Sequence, residues 1–142
     1  MERGRIAKKI LIVEDHALFA EMLAFVLGRA LAGEPQKPGD FTSFAYATSI
    51  AEALQRLSAA RPFDLAVVDL ILPDGDGTTI VREIKTRTPG TPVAALTASQ
   101  DLSEALAAGA DEAMPKVTPL DEMVACLVCL AGIPDQPGTR DP

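Results

Sequence analysis

Three short runs of this chain each hold an unbroken apolar stretch of four or five residues that runs into a polar residue. They are KKILIV (Lys8 to Val13), DLAVVDL (Asp64 to Leu70) and TPVAALT (Thr91 to Thr97). Strands that are apolar on both sides must be covered on both faces, which points to a parallel sheet with helices above and below. FTSFAYA (Phe41 to Ala47) and DEAMPK (Asp111 to Lys116) read as two further strands. Helical spacing fills the intervals: His16 to Leu31, a segment from Ser49 through ALQRLSAA, Thr78 to Thr86, a short stretch before Gly109, and LDEMVACLVCLAG. The pattern is β-α five times. It predicts an α/β fold with a doubly wound five-stranded parallel sheet and right-handed crossovers.

Helix ends have their own signals. Ser49 with Glu52, and Asp101 with Glu104, have capping-box spacing. Gly109 falls where a helix stops. Thr118 as N-cap and Pro119 as first helical residue open the last helix, and Gly132 with Pro134 closes it. The 142 residues suit one domain, expected over 1–132, with a mobile tail over 133–142. GEPQKPGD reads as a surface loop.

Charge narrows the partners. The net charge of -7 repels phosphate backbones and anionic membranes, so direct nucleic-acid or membrane binding is not expected. MERGRIAKK is too short and polar for a signal peptide, so a reducing cytoplasm is the expected compartment. Cys126 and Cys129, three apart in an apolar helix with no second pair, read as small buried or half-buried residues rather than a metal or redox motif.

In an open α/β sheet, sites form at the carboxyl ends of strands. Those ends carry Glu14 and Asp15, then Asp69, Thr97 and Lys116. Three crowded carboxylates repel unless a cation joins them. Hard oxygen donors in an open site suit Mg2+. With a lysine and a hydroxyl beside it, a carboxylate there can accept a phosphoryl group. Taken singly, each residue also has a plain explanation, as a loop or cap aspartate, a helix-dipole partner, a strand-end threonine or a solvated lysine. His16 reads as a polar residue beside the pocket.

KILIVEDH, DLILPDGDG, ALTA and MPK together resemble the motifs of two-component response-regulator receiver domains, over Lys8 to about Ala131. The resemblance implies a flavodoxin-like (βα)5 fold with strand order 2-1-3-4-5. It implies that Asp69 accepts a phosphoryl group from a histidine kinase or phosphotransfer protein. Mg2+ would be held by Asp15, Asp69 and the Ile71 backbone carbonyl, with Glu14 acting through water. Thr97 and Lys116 would bind the new phosphoryl group, and Pro73 and Gly77 would shape the loop after the acceptor.

The same resemblance frames departures and partners. An aromatic is usual at the position of Ala113, so either Met114, Thr97 and backbone movement carry the output, or the output is weak or different. Ile71 and Ser99 flank the path of hydrolytic water, and the bulky Ile71 implies slow self-dephosphorylation. Phe19 and Met22, beside Val117, are expected to dock the kinase or phosphotransfer helix, while Leu23, Val26 and Ala30 face the core. A homodimer through the fourth helix, fifth strand and fifth helix is a further expectation by analogy. Three rivals remain. A haloacid-dehalogenase-type phosphatase wants an acid where Ile71 stands. A flavodoxin-like cofactor binder lacks its phosphate loop. A degenerate receiver would serve only as an interaction module.

Overall fold

The computed structural model describes residues 8–32, 42–59, 62–99 and 101–132. The predicted tail, the loop at 33–40 and Pro134 lie outside them. The elements, in order, are β1 (Lys8–Val13), α1 (Ala17–Ala32), β2 (Thr42–Ala47), α2 (Ile50–Ala59) and β3 (Leu65–Asp69). A two-residue hairpin follows, β4 (Ile71–Leu72) and β5 (Gly75–Asp76), then α3 (Thr78–Arg87). The chain continues through β6 (Val93–Thr97), α4 (Ser103–Ala107), β7 (Glu112–Pro115) and α5 (Leu120–Leu130).

The main sheet is parallel and ordered β2-β1-β3-β6-β7. With the hairpin left out of the count, this is the expected order 2-1-3-4-5. Alternate side chains divide the core in two. Leu11, Val13, Ala66, Val68, Val93 and Ala95 face one layer, where Ala53, Ile80, Ile84 and Ala105 pack from α2, α3 and α4. Ile10, Ile12, Leu65, Val67, Ala94 and Leu96 face the other, against Leu23 and Leu27 of α1 and Met123 and Leu127 of α5. The three apolar runs are thus the three central strands, covered on both faces.

Several helix-end expectations need correction. Ser49 Oγ does accept from the Glu52 N–H at 3.1 Å, but the Glu52 carboxylate turns to the N–H and hydroxyl of Thr48, not to Ser49. Asp101 makes no box with Glu104. Its Oδ1 accepts from the Ser103 N–H and hydroxyl, and α4 starts later, after Leu102. Thr118 does not cap α5, because its N–H turns back to the Pro115 carbonyl and the proline after it favours extended backbone. Pro119, with ψ 143, is therefore the N-cap rather than the first helical residue.

Gly109 stands where predicted, with φ +112. Its N–H reaches the Leu106 carbonyl, and the Ala110 N–H reaches Ala105, the paired bonds of a Schellman turn. On α1 the buried face is Ala20, Leu23, Ala24 and Leu27. Val26 is half-buried, but Ala30 is exposed, because the core stripe follows the 3.6-residue repeat through Leu23 and Leu27. Cys126 is half-buried as expected, and Cys129 is exposed on the outer side of α5.

Candidate functional site

The sheet delivers four polar residues to one end. Strand β1 runs out at Val13, and the Glu14 N–H closes onto the Ala47 carbonyl of β2 at 2.9 Å. Strand β3 ends at Asp69, which pairs with Leu96 just before Thr97 ends β6. The Lys116 N–H then bonds the Thr97 carbonyl at 2.8 Å. Backbone register alone therefore brings all four together.

Side-chain contacts complete the cluster. Lys116 Nζ donates to Glu14 Oε2 at 3.0 Å and to Asp69 Oδ2 at 3.2 Å. The other Asp69 oxygen accepts from the Ile71 N–H at 3.1 Å. Glu14, Asp69 and Thr97 are each only 3% exposed, so these are buried polar groups at the mouth of the sheet rather than solvated ones. Thr97 Oγ1 accepts from the Ser99 N–H at 3.0 Å. The Lys116 ammonium also lies 5.4 Å from the centre of the Phe19 ring. Partial burial pulls the lysine's pKa down, but the bonds to Glu14 and Asp69 and their charges outweigh it and raise it overall.

Asp15 and His16 are exposed beside this core. Oxygens of Glu14 and Asp15 and a His16 ring nitrogen all lie within 4.8 Å of one another. His16 Nδ1 is 3.5 Å from Glu14 Oε2, which places it beside the pocket as expected. Asp69 is linked to Glu14 of this group through the shared Lys116. Glu14 Oε1 is buried with no hydrogen-bond partner. An orphaned carboxylate oxygen is costly, and a cation is the partner it lacks. Three carboxylates against one ammonium leave two formal negative charges to balance. The donor set therefore fits a divalent, oxygen-seeking ion such as Mg2+.

Other expected residues fall differently. Met22 (48% exposed) and Val117 (87% exposed) lie on the surface, while Phe19 is half-buried in the α1–α5 layer beneath Lys116. The exposed apolar stripe of α1 is Leu18, Met22 and Phe25, at i, i+4 and i+7 spacing. That spacing was visible in the sequence and would have separated this stripe from Phe19. Ala113 packs toward α4, whereas Met114 is buried in the opposite layer, so Met114 does not face the α4 side. Ile71 is 60% exposed at the rim. Beside Asp69, Leu70, Ile71, Asp76, Thr97, Ser99 and Asp101 line an open cavity of about 530 Å3.

A (βα)5 sheet with an acid pair, an aspartate, a threonine and a lysine at its carboxyl end defines a class of phosphoryl-signalling domain. The family model for the response regulator receiver domain matches residues 10–128, and the chain belongs to that family. It is 38% identical over 119 residues to response regulator protein PilR of Pseudomonas aeruginosa, covering 82% of this chain and 24% of PilR. It is 36% identical over 125 residues to the two-component response regulator PhoP of the same organism, covering 86% of this chain and 51% of PhoP. The chain thus spans about a quarter to a half of these relatives. Among solved structures, the non-phosphorylated HemR receiver domain from Leptospira biflexa superimposes with a TM-score of 0.71 at 30% identity, covering 91% of this chain and 98% of that one. A response regulator from Chloroflexus aurantiacus gives 0.73 at 28% identity, covering 90% and 100%. No helix among the described residues is long and apolar enough to cross a membrane.

Proposed function

We propose that this receiver domain is a cytoplasmic phosphorelay switch, phosphorylated on Asp69 by a histidine kinase or phosphotransfer protein. One observation carries the proposal. Lys116 bridges Glu14 and Asp69, while the second oxygen of Glu14 is buried and unpartnered. That arrangement suits a site built for one more cation and one more anionic group. In the transfer, an Asp69 oxygen forms the new P–O bond as the donor's P–N bond breaks, and the leaving imidazole nitrogen takes a proton.

The chain's own groups then have distinct tasks. Lys116 keeps its proton and neutralises a phosphoryl oxygen, exchanging a carboxylate partner for it. The Thr97 hydroxyl, which accepts from the Ser99 N–H, keeps its own proton to donate to another. Asp15, Asp69 and the Ile71 carbonyl would hold Mg2+, with Glu14 through water, and the ion would supply charge neutralisation between donor and acceptor. Asp69 is modified rather than turned over, so the domain acts as a switch and not as an enzyme. Phosphorylation adds about -1.5 to -2 charges at the strand end. This biases the β6–α4 segment and changes partner binding. Leu18, Met22 and Val117 are the docking residues available to the donor's helix.

The test uses Mg2+ with acetyl phosphate or beryllofluoride on the wild type, Asp69→Ala, and a Leu18→Ser/Met22→Ser variant. With acetyl phosphate the wild type gains one hydroxylamine- and base-labile phosphoryl group, and Asp69→Ala gains none. The α1 variant labels normally from acetyl phosphate but poorly from a kinase. Equal labelling of Asp69→Ala would refute the acceptor assignment. A domain inert to every donor would instead act as an interaction module only.

A further inference from the structure

The hairpin after the acceptor makes a contact that the phosphoryl chemistry does not call for. Asp74, at its tip, accepts from the Ile50 N–H at 2.8 Å through one oxygen and from the Ala51 N–H at 3.1 Å through the other. These are the first two amides of α2, which the helix itself leaves without partners. A carboxylate there also meets the positive end of the helix dipole. The Ile50 backbone bond, joined by that of Ala51, holds its pKa below the ordinary aspartate value against an opposing desolvation. The tip is seated closely as well. A β carbon on Gly75, whose φ is +145, would come within 3.0 Å of Ile50 Cδ1.

The other end of the hairpin is fixed to the acceptor. The Ile71 N–H bonds Asp69 Oδ1, and the Gly77 N–H bonds the Leu70 carbonyl at 2.8 Å. The loop is therefore clamped at both ends, with Ile71 between Asp69 and Asp74. Helix α2 is a firm anchor, because Ala53 is fully buried and strand β2, just before the helix, receives the Glu14 N–H. We infer that Asp74 is a positioning residue for the cation and phosphoryl site, fixing the height of the Ile71 backbone over Asp69 by holding the hairpin to α2. This rests on the reading of Asp69 and the acid pair as a Mg2+-dependent acceptor site.

The experiment compares wild type, Asp74→Asn and Asp74→Ala. Mg2+ is titrated while backbone amide resonances are followed, and hydrogen exchange is read at Ile50, Ala51 and Ile71. Thermal unfolding is recorded separately, so that affinity is measured where every variant is folded. Asp74→Ala is expected to lose protection at Ile50, Ala51 and Ile71 and to bind Mg2+ several-fold more weakly. Asp74→Asn keeps one acceptor oxygen and should recover part of both losses. A wild-type Mg2+ affinity in Asp74→Ala, with the Ile50 and Ala51 protection gone, would overturn the inference and leave Asp74 as a helix cap only. A wild type with no Mg2+ affinity and no beryllofluoride uptake would remove the acceptor reading, and the inference with it.

Discussion

The two rims of the pocket around Asp69 are held in different ways. The acceptor-loop rim, Leu70 to Gly77, is tied to a distant helix through Asp74 and to the sheet through the Gly77 and Leu70 amides. The opposite rim, in its described residues 97–99 and 101–103, is a relay of short-range bonds. Ser99 N–H reaches Thr97, Asp101 N–H reaches Ser99, and Ser103 N–H reaches Asp101, each two residues back. It leads into α4, a helix of only five residues. Bonds between near neighbours close small loops and do not fix a segment to the rest of the fold. On the proposed function, the difference divides the roles: one rim would keep the site's geometry, and the other would follow the Thr97 hydroxyl.

The largest test of that contrast is Gly77→Ala. Gly77 has ordinary backbone angles, with φ -64, so conformational freedom is not why it is glycine. Space is. A β carbon would overlap the Asp69 carbonyl oxygen and sit 2.9 Å from Leu70 Cα. Both are backbone atoms, at the end of β3 and just after it, and cannot swing aside. Overpacking of this kind costs about 1–3 kcal/mol, and the top of that range is expected, together with weakened Mg2+ binding. Gly90→Ala is the control, since a β carbon there meets nothing within 4 Å. Denaturant unfolding of the two variants reads the difference. Equal stability would mean that the acceptor rim is softer than its contacts imply.

These contacts also show where sequence reading succeeds. The central strands were legible because burial on both faces demands apolar runs, and the polar residues ending those runs marked Glu14, Asp69 and Thr97. Lys116 was legible because a parallel sheet in this order must deliver it to the same end. Gly77 was legible as a turn residue, but its reason was not, since the crowding comes from backbone folded over it. Asp74 carried no signal at all, because its partners are 24 and 23 residues away. Asp101 carried a misleading one. Its capping-box spacing is real, but the chain spends the carboxylate on a tighter turn two residues long.

A smaller effect is expected at Ile71. Its side chain stands 60% exposed on the firm rim, where an apolar group cannot align a water molecule for attack on a phosphoryl group. Ile71→Asn should shorten the lifetime of phosphoryl-Asp69 several-fold, with stability nearly unchanged. Decay of the labelled protein measures it. Because the hairpin is pinned, the new amide is held in place and the gain is reproducible. A lifetime no shorter than that of the wild type would mean that Ile71 does not face the water path.

The smallest effect separates the rims by acid titration. Asp74 and Asp101 are both exposed, and both have lowered pKa values. In Asp74 the Ile50 backbone bond is the main cause, and in Asp101 the Ser103 hydroxyl and backbone bonds are. For carboxylates depressed in the folded state, the stabilisation is fully present above the ordinary aspartate value and fades as pH falls through the lowered one. Acid should therefore release both sets of bonds in the same window, yet with different reach. Protonating Asp101 should loosen amides only from Ser103 to Ala107. Protonating Asp74 should loosen Ile50, Ala51 and, through the hairpin, Ile71. Asp101→Ala at neutral pH should reproduce the first pattern alone. Amide exchange across the titration distinguishes them. Movement of the acceptor loop in Asp101→Ala would show that the rims are coupled, and that the local relay is stiffer than its bonds suggest.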